Sequence, residues 1–244
     1  MSLPRFLVPN LAKSGIVAFP DAEAHHASRV LRCKAGESVV LFDGIGNEAL
    51  AVLKEIDKRS VQADIVEWKF APRDHLNRLH FAVALPKGDR QRSTIEKLVE
   101  LGVDSLTPLE TERSVAVVDD SNTDRLERYV VEACKQCGRN RLMRVEPSVS
   151  IKQLLCRLDA VSAWILHPES DSIPSYSIRQ ANHIALETPP ASLYYLVGPE
   201  GGFTTAEVAM AHEGGVRVLS LGDRIQRVET AVSTAAVLGH CWLT

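Results

Sequence analysis

Two stretches near the end of the chain carry residue types that can hold a small molecule. The first is Gly198-Pro199-Glu200-Gly201-Gly202, and the second runs from Ser220 and Leu221 through Gly222, Ile225, Gln226 and Arg227 to Glu229. Glycine has no Cβ, so backbone at Gly198, Gly201 and Gly202 can approach a bound molecule closely, and Gly201 is a position open to left-handed backbone. The second stretch enters a helix rich in small residues, with Thr230, Ala231, Ser233, Thr234, Ala235 and Ala236. Small side chains let a ligand or another helix pack against it. A third segment, Leu166-His167-Pro168-Glu169, ends another apolar run and is expected at the same pocket. The alternative for each loop is an ordinary turn between packed elements.

The flanking sequence predicts what positions these loops. Residues 193–197 (LYYLV) are apolar and stop at Gly198-Pro199, as a buried strand does. Leu196 and Val197 at its carboxyl end are expected to reach the ligand. Residues 204–211 read as a helix with Thr204 or Thr205 as N-cap and Glu207 in its first turn. Val216, Val218 and Leu219 predict the next strand. Strand, helix, strand is a crossover unit, so the two strands should be parallel and buried. Ligands of such α/β sheets sit beyond the carboxyl ends of the strands, where both loops fall.

Composition narrows the classes. The 244 residues are 45% hydrophobic and 24% charged, with net charge −3. That supports a substantial core and gives no chain-wide basic signal for nucleic acid. A site for RNA must come from local patches. No apolar run approaches the roughly 18 residues of a membrane helix, and no signal pattern opens the chain, so a soluble, cytoplasmic protein is expected. Five scattered cysteines argue against a disulfide framework. Cys134-Lys135-Gln136-Cys137 lacks a second pair for zinc, and helix packing is its default role. No metal is expected. Gly44-Ile45-Gly46-Asn47-Glu48-Ala49 fits a dinucleotide-binding pattern, but strand-like sequence follows it where that pattern needs a helix, so a hairpin is the better reading. Walker A, GxSxG and HExxH motifs are absent from the sequence.

The remaining elements are expected as follows. Residues 1–70 form a small β-rich domain of barrel type, with strands at 5–8, 38–42, 49–56 and 61–68 and a short amphipathic helix at 25–32. Residues 69–78 are a linker. A strand at 79–85, a helix ending at Gly102, a strand at 105–109 and a helix at 125–138 come next. Lys135, Arg139, Arg141 and Arg144 then lie in a run without an acidic residue, the strongest local candidate for phosphate contact. A third helix at 151–158 and an apolar strand at 163–166 follow. Residues 170–191 look largely loop-like.

VGPEGGFTTAEV followed by LGDRIQRVETA resembles the two signature loops of the ribosomal small-subunit (16S) RNA uridine-N3 methyltransferase family. HHASRVLR, FDGIGN, PKGDR, KLVELGV, TERSV and EACKQCGR resemble further family motifs along nearly the whole chain. One departure is Gln226, where the family usually has Leu. The resemblance implies a SPOUT-type α/β domain over 71–244, a knotted parallel sheet with flanking helices whose C-terminal trefoil knot starts near Ala163. A PUA-like β-barrel RNA-binding domain over 1–70 precedes it. It also implies S-adenosyl-L-methionine as cofactor, 16S rRNA within the small ribosomal subunit as partner, and a homodimer. The cofactor would be held by Leu166, His167, Pro168, Leu196, Val197, Gly198, Pro199, Glu200, Gly201, Gly202, Ser220, Leu221, Gly222, Ile225, Gln226, Arg227 and Thr230.

RNA contacts are expected from Arg5, His26, Arg29 and Arg32 in the first domain and from Lys87, Arg90, Arg139 and Arg141 further on. A methyl group on a sulfonium is already activated, so alignment supplies much of the catalysis. Methylation at uridine N3 also requires loss of the N–H proton. Arg113, Arg139 and Arg227 are candidates to stabilise the resulting charge, and Glu229 to orient an arginine or accept the proton. A SPOUT enzyme acting on another RNA position, a nucleotide-dependent oxidoreductase and a non-catalytic RNA-binding protein remain as alternatives.

Overall fold

A computed structural model describes residues 3–57, 60–71, 78–114, 120–158, 162–168, 173–187 and 190–243. The chain divides into two compact units: Met1–Asp74 with Val131–Leu142, and His75–Val130 with Met143–Thr244.

In the first unit, β1 (Arg5–Leu7), β2 (Gly15–Ala18), β3 (Ser38–Phe42), β4 (Asn47–Ile56) and β5 (Val61–Phe70) form a sheet of order β1-β3-β4-β5-β2. β1 pairs with β3 in parallel and the other pairs are antiparallel. The β3–β4 hairpin answers the dinucleotide question, because strand follows Gly46. Asp43 Oδ1 accepts from the Ile45 N–H at 2.9 Å and the Asn47 N–H at 3.0 Å, an Asx-type turn that needs no ligand. Phe6, Phe19, Val39, Leu41, Leu53 and Val61 fill the core. The expected amphipathic helix at 25–32 is instead α1 (Asp21–His25) followed by a π-helical turn, His26–Val30, and Arg32 then adopts φ 54°.

The second unit is built on β6 (Arg78–Val83), α2 (Asp89–Glu100), β7 (Ser105–Glu110) and the start of α3 (Asp120–Cys137), which continues into the first unit. After them come β8 (Arg144–Val145), β9 (Val149–Ser150), α4 (Ile151–Leu155), β10 (Ala163–Leu166), β11 (Ser175–Ser177), α5 (Ile178–Glu187), β12 (Ser192–Val197), α6 (Thr205–Glu213), β13 (Arg217–Ser220) and α7 (Val228–Leu243). The sheet order is β11-β13-β10-β12-β6-β7-β8, all parallel, with β9 also on β7. β12 and β13 are parallel, as the crossover predicts, but they are not neighbours: β10 lies between them, in register Leu166↔Val197 on one side and Leu166↔Leu219 on the other.

Both faces of the sheet's centre are covered, which is why β10 and β12 are almost wholly apolar. Ile165, Leu196, Val218 and Val208 pack on one side. On the other, Tyr195, Trp164 and Trp242 form an aromatic group, with ring centroids 5.3 Å apart for Trp164–Trp242 and 6.0 Å for Tyr195–Trp242. Gly239 of α7 lets that helix sit close: a Cβ there would lie 2.8 Å from Leu79 Cδ1.

Three expectations need correction. Residues 170–191 are not mainly loop, since they contain β11 and α5. Ala181 and Ala185, one helical turn apart, are buried, and Ser177 and Gln180 form a reciprocal capping pair, with the Ser177 N–H donating to Gln180 Oε1 at 2.9 Å. The helix predicted over 151–158 is α4, ending at Leu155. The predicted linker begins inside β5, which runs to Phe70, and its residues 72–77 lie outside the described ones.

Candidate functional site

The site grows from three strand ends. β10, β12 and β13 stop side by side, and the loops that leave them enclose a cavity of about 270 Å³. Leu166, His167 and Pro168 come from the first loop, Val197 to Phe203 from the second, and Leu219, Leu221, Gly222, Arg224, Ile225, Gln226, Val228 and Ala231 from the third and the start of α7. Arg113, from the loop after β7, completes the lining. The His167 N–H donates to Leu219 O at 3.1 Å and ties the first and third loops together.

The second loop is a tight turn, in which the Gly202 N–H donates to Pro199 O at 2.8 Å. Left-handed backbone is found at Gly202, with φ 67°, and not at Gly201. Gly198 is required for another reason: a Cβ there would stand 3.0 Å from the Phe203 ring. Phe203 is 3% exposed, so its ring cannot move aside cheaply. In the third loop Ser220 Oγ accepts from the Gly222 N–H at 3.3 Å, and Gly222 has φ 107°.

α6 starts at the pocket with a full capping box. The Glu207 N–H donates to Thr204 Oγ1 at 3.2 Å, and the Thr204 N–H donates to Glu207 Oε2 at 2.8 Å, so Thr204 is the N-cap of the two candidates. Glu207 Oε1 takes a further N–H, from Glu112, at 2.9 Å. Beside it, Arg113 donates through Nη1 to Gly201 O at 2.8 Å. Glu200 is paired with Arg90.

Of the residues expected to hold a cofactor, thirteen line the cavity: Leu166, His167, Pro168, Val197, Gly198, Pro199, Glu200, Gly201, Gly202, Leu221, Gly222, Ile225 and Gln226. Leu196, Ser220, Arg227 and Thr230 are outside the lining. Leu196 points into the core, Ser220 braces the loop, and Arg227 and Thr230 are exposed. Glu169 lies outside the described residues. Phe203, Leu219, Arg224, Val228 and Ala231 line the cavity without having been expected there. Phe203 adjoins the glycines, and Val228 and Ala231 share a helix face at spacing i, i+3, a signal the sequence does carry.

Among the candidates for charge handling, Arg113 is at the cavity. Arg227 is exposed, and Glu229 is half-buried with Oε2 lacking a hydrogen-bond partner among the described residues. Arg139 belongs to the first unit and is 5% exposed.

The basic run around α3 is open only in part: Arg144 is exposed and Arg141 half-buried, while Arg139 is buried. Lys135 is half-buried and pairs with Glu23 at 2.6 Å and Glu132 at 3.0 Å. Desolvation raises the Glu23 pKa above the usual carboxylate value, while the Lys135 ammonium pulls it back. Arg5 is likewise internal: its side chain is 10% exposed and pairs with Glu48 at 3.0 Å. Its cation lies 5.1 Å over the Phe42 ring. By contrast Arg29 and Arg32 are exposed, and His26 is half-buried with its ring edge to Phe6 at 6.2 Å. None of the five cysteines forms a disulfide, and Cys134 Sγ contacts Arg141 O at 3.7 Å. Among the described residues no group of His, Cys, Asp and Glu could hold a metal ion, and no helix is long and apolar enough to cross a membrane.

The chain as a whole matches a known family. A model of the RNA methyltransferase domain matches residues 73–238, and one of the RNA methyltransferase PUA domain matches residues 19–66. The chain belongs to the RNA methyltransferase family. It is 33% identical over 214 residues to ribosomal RNA small subunit methyltransferase E of Bacillus subtilis, covering 86% of this chain and 83% of that protein. Ribosomal RNA small subunit methyltransferase E from Neisseria gonorrhoeae, solved with S-adenosylmethionine bound, superposes with a TM-score of 0.85 at 30% identity over 97% of this chain and 96% of that one. A Legionella pneumophila methyltransferase solved with the same cofactor gives a TM-score of 0.88 at 30% identity, with 98% of each chain covered. The methyltransferase is thus of SPOUT type, with a parallel sheet between helices preceded by a PUA domain.

Proposed function

We propose that the cavity holds S-adenosyl-L-methionine and that the protein methylates N3 of a specific uridine in small-subunit (16S) ribosomal RNA. The observation that carries this reading is the cavity itself, three glycine-bearing or strand-end loops at the carboxyl edge of a parallel sheet, in a chain whose solved relatives bind that cofactor. The residues suit the molecule. Leu166, Val197, Leu219, Leu221, Ile225 and Val228 offer apolar surface to a nucleoside, and open space beside Gly202 leaves its backbone accessible. We assign Leu196, Ser220, Arg227 and Thr230 supporting places behind or beside that lining.

When bound, the cofactor supplies an activated methyl group on its sulfonium. The chain's work is then to align the base and to accommodate the charge left when N3 loses its proton. Arg113 is the arginine we assign to that charge, since it stands at the cavity. Glu229 is the candidate to accept that proton, onto the carboxylate oxygen that has no partner among the described residues. Exposed Arg29 and Arg32, with His26, are the preferred phosphate contacts of the PUA domain. Lys87, Arg90 and Arg141 are secondary ones, and half-buried Arg5 and buried Arg139 act through the fold. We further read the segment from Ala163 onward as a trefoil knot, supported by β10 lying between the later strands β12 and β13. We also read the protein as a cytoplasmic homodimer with α7 in its interface, supported by exposed Val237 and the small residues around it. Light scattering should return twice the 26.8 kDa of one chain.

The test is transfer of label from methyl-labelled S-adenosylmethionine to unmodified small ribosomal subunits. Close to one methyl per subunit is expected. Binding of the cofactor and of RNA with no transfer would leave a non-catalytic RNA-binding protein. Binding of NAD in place of S-adenosylmethionine would favour the oxidoreductase alternative.

A further inference from the structure

Glu207 makes contacts that its place in α6 does not require. A capping box needs one carboxylate oxygen, and Oε2 supplies it to the Thr204 N–H and to Thr204 Oγ1, at 2.8 and 3.2 Å. Oε1 is turned away from the helix and accepts the Glu112 N–H at 2.9 Å, across 95 residues of sequence. The carboxylate is 7% exposed, so both bonds are screened from water. Glu112 sits in a short turn after β7 that is braced within itself: the Thr111 N–H donates to Ser114 Oγ at 2.9 Å, and the Ser114 N–H donates to Thr111 O at 3.1 Å. A stiff turn held at Glu112 fixes its next residue, and that residue is Arg113. The Arg113 guanidinium in turn reaches Gly201 O at 2.8 Å, on the wall of the cavity.

We infer that Glu207 is a positioning residue for the methyltransferase reaction: its carboxylate clamps the Thr111–Ser114 turn to the start of α6, and so sets Arg113 against the glycine loop. This rests on the reading of the cavity as the cofactor site. The two oxygens have separable tasks. Oε2 holds the helix start and Oε1 holds the arginine-bearing turn. An amide could not perform both, because its NH2 group would face one of the two N–H donors.

Glu207→Asp separates them. Aspartate can still cap the helix, but its side chain is one methylene, about 1.5 Å, too short to reach Glu112 as well. The first measurement needs no ligand. Amide hydrogen exchange at Glu112 should be slowed in the wild-type protein and at least tenfold faster in Glu207→Asp, with circular dichroism unchanged. The second is S-adenosylmethionine affinity by calorimetry and steady-state kinetics. Glu207→Asp should lower kcat about five- to tenfold, since Arg113 is assigned to the charge formed in the reaction, with a smaller change in KM for the cofactor, and should add little to the loss caused by Arg113→Ala. Unchanged exchange at Glu112 in Glu207→Asp would overturn the clamp. Faster exchange with wild-type kcat, or losses that simply add to those of Arg113→Ala, would overturn the positioning role. A wild-type protein that protects Glu112 but does not bind S-adenosylmethionine would refute the cofactor reading, and with it the positioning role, while leaving the clamp in place.

Discussion

Replacing Gly202 with alanine isolates one physical requirement of the cavity wall. Gly202 has φ 67°, and no atom lies within 4 Å of where a Cβ would be. The added methyl group therefore meets nothing, and the cost is conformational alone, about 1–2 kcal/mol for an L residue held left-handed. Where that cost falls depends on the loop. If the ligand-free loop keeps its shape, folding stability drops by the full amount. If the loop relaxes, the strain returns on binding, and affinity for S-adenosylmethionine falls by about five- to thirtyfold. The two losses together should total about 1–2 kcal/mol, read by thermal unfolding and isothermal titration of the same preparation. Gly201→Ala is the control: its Cβ would stand 3.4 Å from Arg113 Cδ, a flexible neighbour, with no left-handed backbone. Gly198→Ala should cost about 1–3 kcal/mol through crowding, because Phe203 atoms lie 3.0–3.1 Å from the new carbon. Wild-type stability and affinity in Gly202→Ala, or a larger loss in Gly201→Ala, would refute the assignment of the strained position.

Further expectations concern the core, the RNA and the proton. Tyr195 is fully buried, and its hydroxyl has no hydrogen-bond partner among the described residues, so Tyr195→Phe should match or exceed wild-type stability by up to about 1–3 kcal/mol in chemical denaturation. Desolvation holds the Tyr195 pKa well above the ordinary tyrosine value. A raised pKa gives stability that is present below the unfolded value and lost as pH rises past it, so wild type should lose stability faster than Tyr195→Phe above about pH 10. Arg29→Ala with Arg32→Ala should lower the magnitude of the log–log salt slope of RNA binding by roughly 0.7–0.9 for each lost phosphate contact; an unchanged slope would move the footprint elsewhere. Single-turnover methyl transfer should accelerate with pH while the fold and RNA survive, since N3 must lose its proton, and a flat profile would show that proton loss is not rate-limiting.

What could be read from the sequence followed from local chemistry. The glycine loops, the strands that feed them and the Thr204–Glu207 cap all sit within a few residues of their own signals, and most of the cavity lining falls in those stretches. Contacts distant in sequence could not be read that way. Lys135, Arg139 and Arg141 look like an open cationic run, yet Lys135 is matched by Glu23 and Arg139 is buried. Arg5 is bound to Glu48, and Glu207 to Glu112, through equally remote pairings. The insertion of β10 between β12 and β13 belongs to the same class, because a crossover pattern specifies direction and not neighbours. The helix α5 has local signals of its own, a Ser177–Gln180 cap and buried alanines one turn apart, but serine- and proline-rich flanks mask them.

The central claim is that this cavity serves methyl transfer to N3 of a uridine. Unmodified small ribosomal subunits should be incubated with the protein and S-adenosylmethionine, and the RNA then digested to nucleosides and fragments for mass spectrometry. Wild-type protein should form 3-methyluridine at a single position, and Arg113→Ala should form far less. A methyl group found on another base or on ribose, or no methylation by a folded protein that binds the cofactor, would contradict the claim.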